Sequence, residues 1–504
     1  MSELTLHYPD GRTETRRVES GTRLWDAVEP AYRTAPCGGN GRCGKCRVQA
    51  TGCLSEPQEQ EKSLLEEDLL RGWRLACLTR VTGDAEVTLH QTAQLREICA
   101  DGELPPFVRQ PLFARYGAAV DIGTTTLAAQ LYDHDGRRLA QAVAANPQAV
   151  FGADVISRIE KSLAGEREAL MRCIRRGIDG LLAELSASAG VSPSDIDAVV
   201  VTGNTTMLYL LTGRSVDCLA RAPFAADELF GRWAQAGEVE LASVPSARVY
   251  LPRCMSAFVG ADITTALLCS GLCERPDSAL LADIGTNGEL ALWHGGRLRC
   301  CSTAAGPVFE GAGISCGMQG VAGAVSHVLR ENGAVRCRTI GGGEPRGICG
   351  SGIIDAAAVF CGLGIIDETG AFTGGRTDYA LATGVTVTQK DIRMLQLGKS
   401  AVCAGIRTLL EAAGLTPEAL TELSVAGGFG TYLDIHNAAA IGLYPAELEG
   451  KTKVLGNAAL AGAAMLLLAE PYVQKSCALA QQAETVDLST SAVFMAHYVD
   501  CMEF

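Results

Sequence analysis

The sequence predicts a multidomain α/β protein: a small β-rich unit at the N-terminus, a linker, and a large α/β unit made of two related halves. Three observations predict it. Cys37, Cys43, Cys46 and Cys77 lie close together near the N-terminus, three of them in one glycine-rich loop. Two apolar segments ending in Asp-Ile-Gly-Thr recur, one at Asp121 and one at Asp283. A proline-bearing stretch, residues 91–115, separates the two regions. With 504 residues, 47% of them hydrophobic, the chain can build two or three cores.

Residues 1–90 read as the first domain. Leu4, Leu6 and Tyr8 alternate with polar residues, Asp10-Gly11 marks a hairpin turn, and a return strand runs from Thr13 to Val18. Leu24–Val28 predicts a short helix. After the cysteine loop come a strand over Cys46–Ala50, a helical stretch over Glu59–Leu70 and a last strand, Ala85–Leu89. The run from Glu56 to Asp68, with six acids and one lysine, reads as a solvated helix face.

The cysteines are spaced Cys37-x5-Cys43-x2-Cys46, then a long gap to Cys77. Plant-type 2Fe–2S ferredoxins use a closely related order. Glycines let such a loop wrap an inorganic core with its N–H groups turned inward. Zinc sites usually pair two short Cys-x2–4-Cys elements, so the asymmetry here fits a 2Fe–2S cluster better. Cys53 reads as a non-ligand and is the first substitute if one of the four is misassigned. The chain holds 20 cysteines; the rest are scattered, which suits a reducing cytoplasm and buried apolar roles. Nothing beside Cys300-Cys301 points to a lowered thiol pKa. Arg42, Lys45 and Arg47 read as solvated charge around the loop, with steering of an acidic partner as the alternative.

From Tyr116 strands and helices alternate, in two lobes of roughly 116–275 and 276–504. Each Asp-Ile-Gly-Thr segment predicts a hairpin whose turn offers N–H groups and hydroxyls to phosphate, while the aspartate can hold Mg²⁺ through water. A single copy is an ordinary turn; two copies imply a duplicated fold with a cleft between the halves. Leu423–Gly430 adds a strand followed by Gly427-Gly428, a turn that permits close approach to a flat base and ribose. The small-residue stretch Gly456–Ala463 predicts a tightly packed helix at a hinge.

These three glycine-bearing elements, in this order, resemble the actin-like ATPase superfamily. Joined to a β-grasp ferredoxin-like domain, the chain resembles reductive activators of corrinoid proteins over nearly its whole length. Val201–Met207, Gly306–Met318 and Gly347–Asp355 fit the same resemblance. It implies an ATP-hydrolysing iron–sulfur reductase that passes one electron to a Co(II) corrinoid protein and restores Co(I) for methyl transfer in anaerobic metabolism. The implied cofactors are a 2Fe–2S cluster on Cys37, Cys43, Cys46 and Cys77, ATP, and Mg²⁺. Asp121, Gly123, Thr124 and Thr125 would bind phosphate and metal, Asp283, Gly285, Thr286 and Asn287 would close from the other side, and Gly427 and Gly428 would face the nucleoside. Asp121, Asp283, Glu289 and Glu310 are the implied catalytic carboxylates. Glu289 and Glu310 are the two to test for polarising the attacking water, with structural pairing as the alternative for either. Longer relatives carry an additional small domain between linker and ATPase core, which this chain is expected to lack. Alternatives of another kind are a small-molecule kinase with a ferredoxin regulator, and an electron donor to a different low-potential acceptor.

The implied partners are a corrinoid protein, an unidentified electron donor and, for a homodimer, a second copy. A net charge of −14 argues against non-specific nucleic-acid binding. No stretch of about 18 apolar residues runs free of charge and glycine, so no membrane span is expected. The N-terminus reads as a strand rather than a signal peptide, consistent with a cytoplasmic protein.

Overall fold

The computed structural model describes residues 1–8, 11–28, 46–89, 102, 104–234, 238–331, 333–428 and 432–504. Cys37, Cys43, Arg42 and Lys45 lie outside the described residues, as do Phe429 and Gly430. The chain forms two compact units, Met1–Gln94 with Ala145–Ile174, and Leu95–Ala144 with Arg175–Phe504.

In the first unit, β1 (Ser2–His7), β2 (Thr13–Val18), β3 (Arg47–Leu54), β4 (Trp73–Leu75) and β5 (Val81–Thr88) form a sheet in the order β2-β1-β5-β3-β4. β1 runs antiparallel to β2 and parallel to β5. A parallel pair needs a long crossover, and the helices Leu24–Ala27 and Glu59–Leu65 lie within it. The alternation in β1 buries Leu4 and Leu6 completely, against Trp25, Val48, Leu75 and Val87. The last strand starts at Val81 rather than Ala85, because Val81 is itself part of this core.

The acidic run is not a uniformly solvated face. Glu61 is fully buried. Its carboxylate accepts hydrogen bonds from Arg74 Nε (3.0 Å), Arg74 Nη2 (3.1 Å), Leu75 N (2.8 Å) and Thr79 Oγ1 (3.1 Å). A buried carboxylate is tolerated only when paired and hydrogen-bonded, and Arg74 on β4 supplies the countercharge from outside the run.

The second unit repeats one pattern twice. β6 (Tyr116–Ile122), β7 (Thr126–Asp133), β8 (Arg138–Ala145), β9 (Ile196–Gly203), β10 (Arg232–Trp233) and β11 (Arg248–Leu251) form a sheet in the order β10-β11-β9-β6-β7-β8. Then come β12 (Ala279–Ile284), β13 (Gly288–His294), β14 (Arg297–Thr303), a three-stranded sheet of β15 (Ala324–Glu331), β16 (Ala334–Thr339) and β17 (Gly347–Ile348), and a hairpin of β18 (Asp378–Ala382) and β19 (Val385–Thr388). β20 (Glu422–Ala426), β21 (Thr452–Gly456) and β22 (Glu484–Thr485) complete the second large sheet, β21-β20-β12-β13-β14-β22. The shared core is the same in both: β6 and β12 are antiparallel to the next strand and parallel to β9 and β20 respectively. The central strands are buried on both faces, which is why they read as near-continuous apolar runs.

Helices Ala261–Ser270 and Ala458–Leu468 pack at very close range. A Cβ on Gly462 would lie 1.8 Å from the Thr265 carbonyl oxygen, so only glycine fits there. The close helix packing expected of the small-residue stretch is realised at this contact.

Part of the expected linker is not a linker. Leu112 and Phe113 are buried in the second unit. Gln110 N and Leu112 N donate to the carbonyls of Leu468 and Leu467 (2.8 and 2.9 Å). Those carbonyls end a helix and have no partner within it, so an extended strap with two N–H groups and two apolar side chains is held there.

Candidate functional site

β3 and β4 are antiparallel with Arg47 opposite Leu75. Cys46 immediately precedes β3 and Cys77 sits in the turn after β4, so this register brings them together. Their sulfurs are 3.2 Å apart and both residues are buried. That distance is well beyond a disulfide bond of about 2.05 Å. Two soft thiol donors converging on one point fit an iron of an iron–sulfur cluster. Cys53 is exposed on β3, beside Gly83 of β5. Arg47 is an exposed surface charge paired with Asp68 at 2.6 Å.

In the second unit, one cleft gathers every sequence-predicted nucleotide and catalytic residue. Asp121, Gly123, Thr124 and Thr125 line one wall, Asp283, Gly285, Thr286, Asn287 and Glu289 another, and Glu310, Gly427 and Gly428 complete it. Asp121 and Asp283 occupy equivalent places, each one residue before the end of the first strand of its sheet. Gly427 has φ +112°, and a Cβ there would meet the Ile284 carbonyl oxygen at 2.4 Å. The turn therefore needs glycine and presses against the second Asp-bearing strand.

The carboxyls of this cleft are unusual. Desolvation pushes Asp121 up to about 6. Desolvation, with the charge of Asp121, pushes Asp283 up to about 7. Glu289, directly across the β12–β13 register from Asp283, is raised well above the ordinary range by burial and by Asp262 and Asp283. Asp262 is raised likewise by burial and by Asp283 and Asp121. Four acids this close in a low-dielectric floor cannot all ionise without a cation. Oxygen-only donors beside hydroxyls and amides fit Mg²⁺ with a polyphosphate.

Glu310 differs from Glu289. It accepts hydrogen bonds from Thr125 Oγ1 (2.5 Å) and Thr286 Oγ1 (3.0 Å), one hydroxyl from each hairpin. It thus spans the two halves of the duplication.

Sequence reasoning missed three side chains. Asn204 caps the helix Thr205–Thr212, accepting from Met207 N at 3.0 Å, while its amide nitrogen lies 3.4 Å from Thr124 Oγ1. Asn457 does the same for Ala458–Leu468, accepting from Leu460 N at 2.8 Å and donating to Asp121 Oδ2 at 3.0 Å. Asp262 lies in the first turn of the helix Ala261–Ser270 and completes the acid cluster. The available signal was position: Asn-Thr-Thr and Asn-Ala-Ala follow strands, and asparagine is a preferred N-cap.

Residues 7–82 match the model of the 2Fe-2S iron-sulfur cluster binding domain. Residues 116–275 match "RACo middle region", and residues 277–504 match "C-terminal domain of RACo the ASKHA domain". The corrinoid activation enzyme RamQ of Eubacterium limosum is 35% identical over 416 residues, covering 76% of this chain and 69% of that protein. This chain belongs to the family of reductive corrinoid activators. The [Co(II) methylated amine-specific corrinoid protein] reductase of Methanosarcina barkeri is 26% identical, with 76% of each chain covered. The solved reductive activator for corrinoid, iron-sulfur protein superposes with a TM-score of 0.71 at 28% identity, over 100% of this chain and 98% of that one. The stretch that matches the middle region, residues 116–275, carries the first of the two related sheets. No helix among the described residues is long and apolar enough to cross a membrane.

Proposed function

We propose that this activator uses ATP to drive one electron from its N-terminal domain to a Co(II) corrinoid protein, restoring Co(I). The carrying observation is that one chain joins a 2Fe–2S-type cysteine site to a duplicated, acid-floored cleft. Cys46 and Cys77, with Cys37 and Cys43 from the sequence, would hold the cluster, which when bound supplies a one-electron donor near −400 mV in plant-type domains. Cob(I) generally needs a more reducing donor. Each 100 mV of deficit for one electron corresponds to ~2.3 kcal/mol, within reach of conformational coupling to ATP.

In the cleft, Thr124, Thr125 and Thr286 present hydroxyls and Asn204 an amide to the phosphates. Asp121 and Asp283, with Asp262 beside them, would hold Mg²⁺ through water, and its charge would favour their ionised forms by offsetting their mutual repulsion. Glu289 lies deep among these acids, whereas Glu310 joins the two hairpins, so Glu310 is the better placed to sense closure over a γ-phosphate. Phosphate oxygens compete for Thr125 and Thr286, and releasing Glu310 from them frees its carboxylate to orient water.

The test is anoxic reduction of a Co(II) corrinoid protein from the same genome, followed by its visible spectrum, with chemical reductant and with or without ATP. Co(I) should appear only with ATP and intact cysteines. ATP-independent Co(I), or its formation by a Cys77→Ser variant, would refute the proposal.

A further inference from the structure

Two phenylalanines are exposed on loops of the second unit that are linked to the cleft through the helix Thr205–Thr212. Phe224 is 39% and Phe258 52% exposed, and their rings pack at 5.4 Å. Ala222, Pro223 and Ala225 beside Phe224 are also exposed. Phe224 has φ +54°, in the left-handed region that bulky residues rarely adopt and that tends to mark function. Both loops are tied to one helix, Thr205–Thr212. Thr205 Oγ1 donates to the Ser256 carbonyl at 2.7 Å, and Ser256 Oγ accepts from the N–H groups of Phe258 (3.3 Å) and Val259 (3.1 Å). Tyr209 Oη donates to Asp227 Oδ1 at 2.6 Å and accepts from Glu228 N at 2.8 Å, which fixes the loop after Phe224. The cap of that helix is Asn204, which reaches Thr124 in the cleft, and the Phe258 loop runs directly into Asp262.

We propose that the Phe224–Phe258 pair is a docking surface for the corrinoid protein, whose affinity there follows the nucleotide through the Thr205–Thr212 helix. This rests on the function proposed above. The occupant follows from size and linkage. Two partly exposed rings offer an apolar patch on the order of 200 Å², far short of the 2,000 Å² or more of a permanent dimer but suited to the centre of a transient contact. An activator must release its partner after each reduction, and a patch hydrogen-bonded to the nucleotide cleft supplies that release. Aromatic side chains, phenylalanine among them, are enriched at the centres of protein–protein contacts.

The test uses the full chain, with its cluster, and a corrinoid protein that the wild-type chain reduces. Phe224→Ala with Phe258→Ala should raise the Kd for that protein at least ~10-fold. Basal ATP hydrolysis and cluster absorbance should stay unchanged, and reduction should slow at limiting partner yet recover at saturation. Tyr209→Phe, which keeps both rings, should shrink the ratio of Kd values in ATP and ADP. Binding of the double variant within twofold of wild type overturns the proposal. So does unchanged affinity with altered light-scattering mass, which would assign the patch to a second copy, or unchanged affinity with slower reduction at saturation, which would assign it to the chain's own N-terminal domain. If no corrinoid protein is reduced by the wild type, the function fails first and separately.

Discussion

Replacing Glu61 by glutamine is the sharpest test of how the first domain is held. The variant keeps the shape and Oε1, which accepts from Arg74 Nε, Leu75 N and Thr79 Oγ1. It removes the negative charge and turns an NH₂ toward Arg74 Nη2, where an acceptor stood at 3.1 Å. Arg74 is then a buried cation with no counterion among the described residues, its side chain 10% exposed. Breaking a buried pair from one side costs roughly 3–5 kcal/mol. For a domain of this size each 1 kcal/mol moves the midpoint by about 4–8 °C, so a fall of about 12 °C or more is expected. Because Leu75 and Thr79 flank Cys77, bleaching of the cluster absorbance on heating should report it, alongside Glu59→Gln as an exposed control whose solvent-screened pair with Lys62 should leave the midpoint almost unmoved. A Glu61→Gln shift no larger than that of Glu59→Gln would show that the pair contributes nothing and that the face is solvated after all.

Other expectations are briefer. Cys77→Ser should lose the cluster iron while Cys53→Ser retains it, read by iron analysis and visible absorbance. Glu310→Gln should lower ATP turnover by about 10²-fold or more with ATP still bound, as loss of a water-orienting group does; an effect confined to KM would assign Glu310 to binding alone. Gly462→Val should destabilise the second unit by more than about 3 kcal/mol, since its Cβ meets a backbone oxygen that cannot swing away. The raised cleft acids bind protons that the unfolded chain has already shed between about pH 4 and 7. Metal-free protein should therefore lose stability as pH rises through that window, and Mg²⁺ affinity should climb across it; a flat Mg²⁺ profile by titration calorimetry would refute the acid-floor assignment.

The duplication was legible because each half spends its most recognisable residues on one strand and turn, and because strands buried on both faces announce themselves as apolar runs. Gly427 was legible for the same local reason: a Gly-Gly turn states its own backbone demand. Glu61 was misread since its partner, Arg74, is brought in by a strand that pairs only in three dimensions. Asp262 was invisible because a lone aspartate near a helix start looks like ordinary dipole compensation. The docked half of the linker was missed because prolines announce extension, not what the extended chain lies against.

The contact between Gly462 and Thr265 has a mechanical meaning. Two helices already touching backbone to backbone cannot approach further, and they lose their packing if they part. Relative movement of the two actin-like halves is then confined to rolling about that point. Rotation about that point would displace the mouth of the cleft more than the floor, where Asn457, at the start of the same helix, holds Asp121. A nucleotide would thus be gripped or released at its outer end while its innermost contacts stay in place.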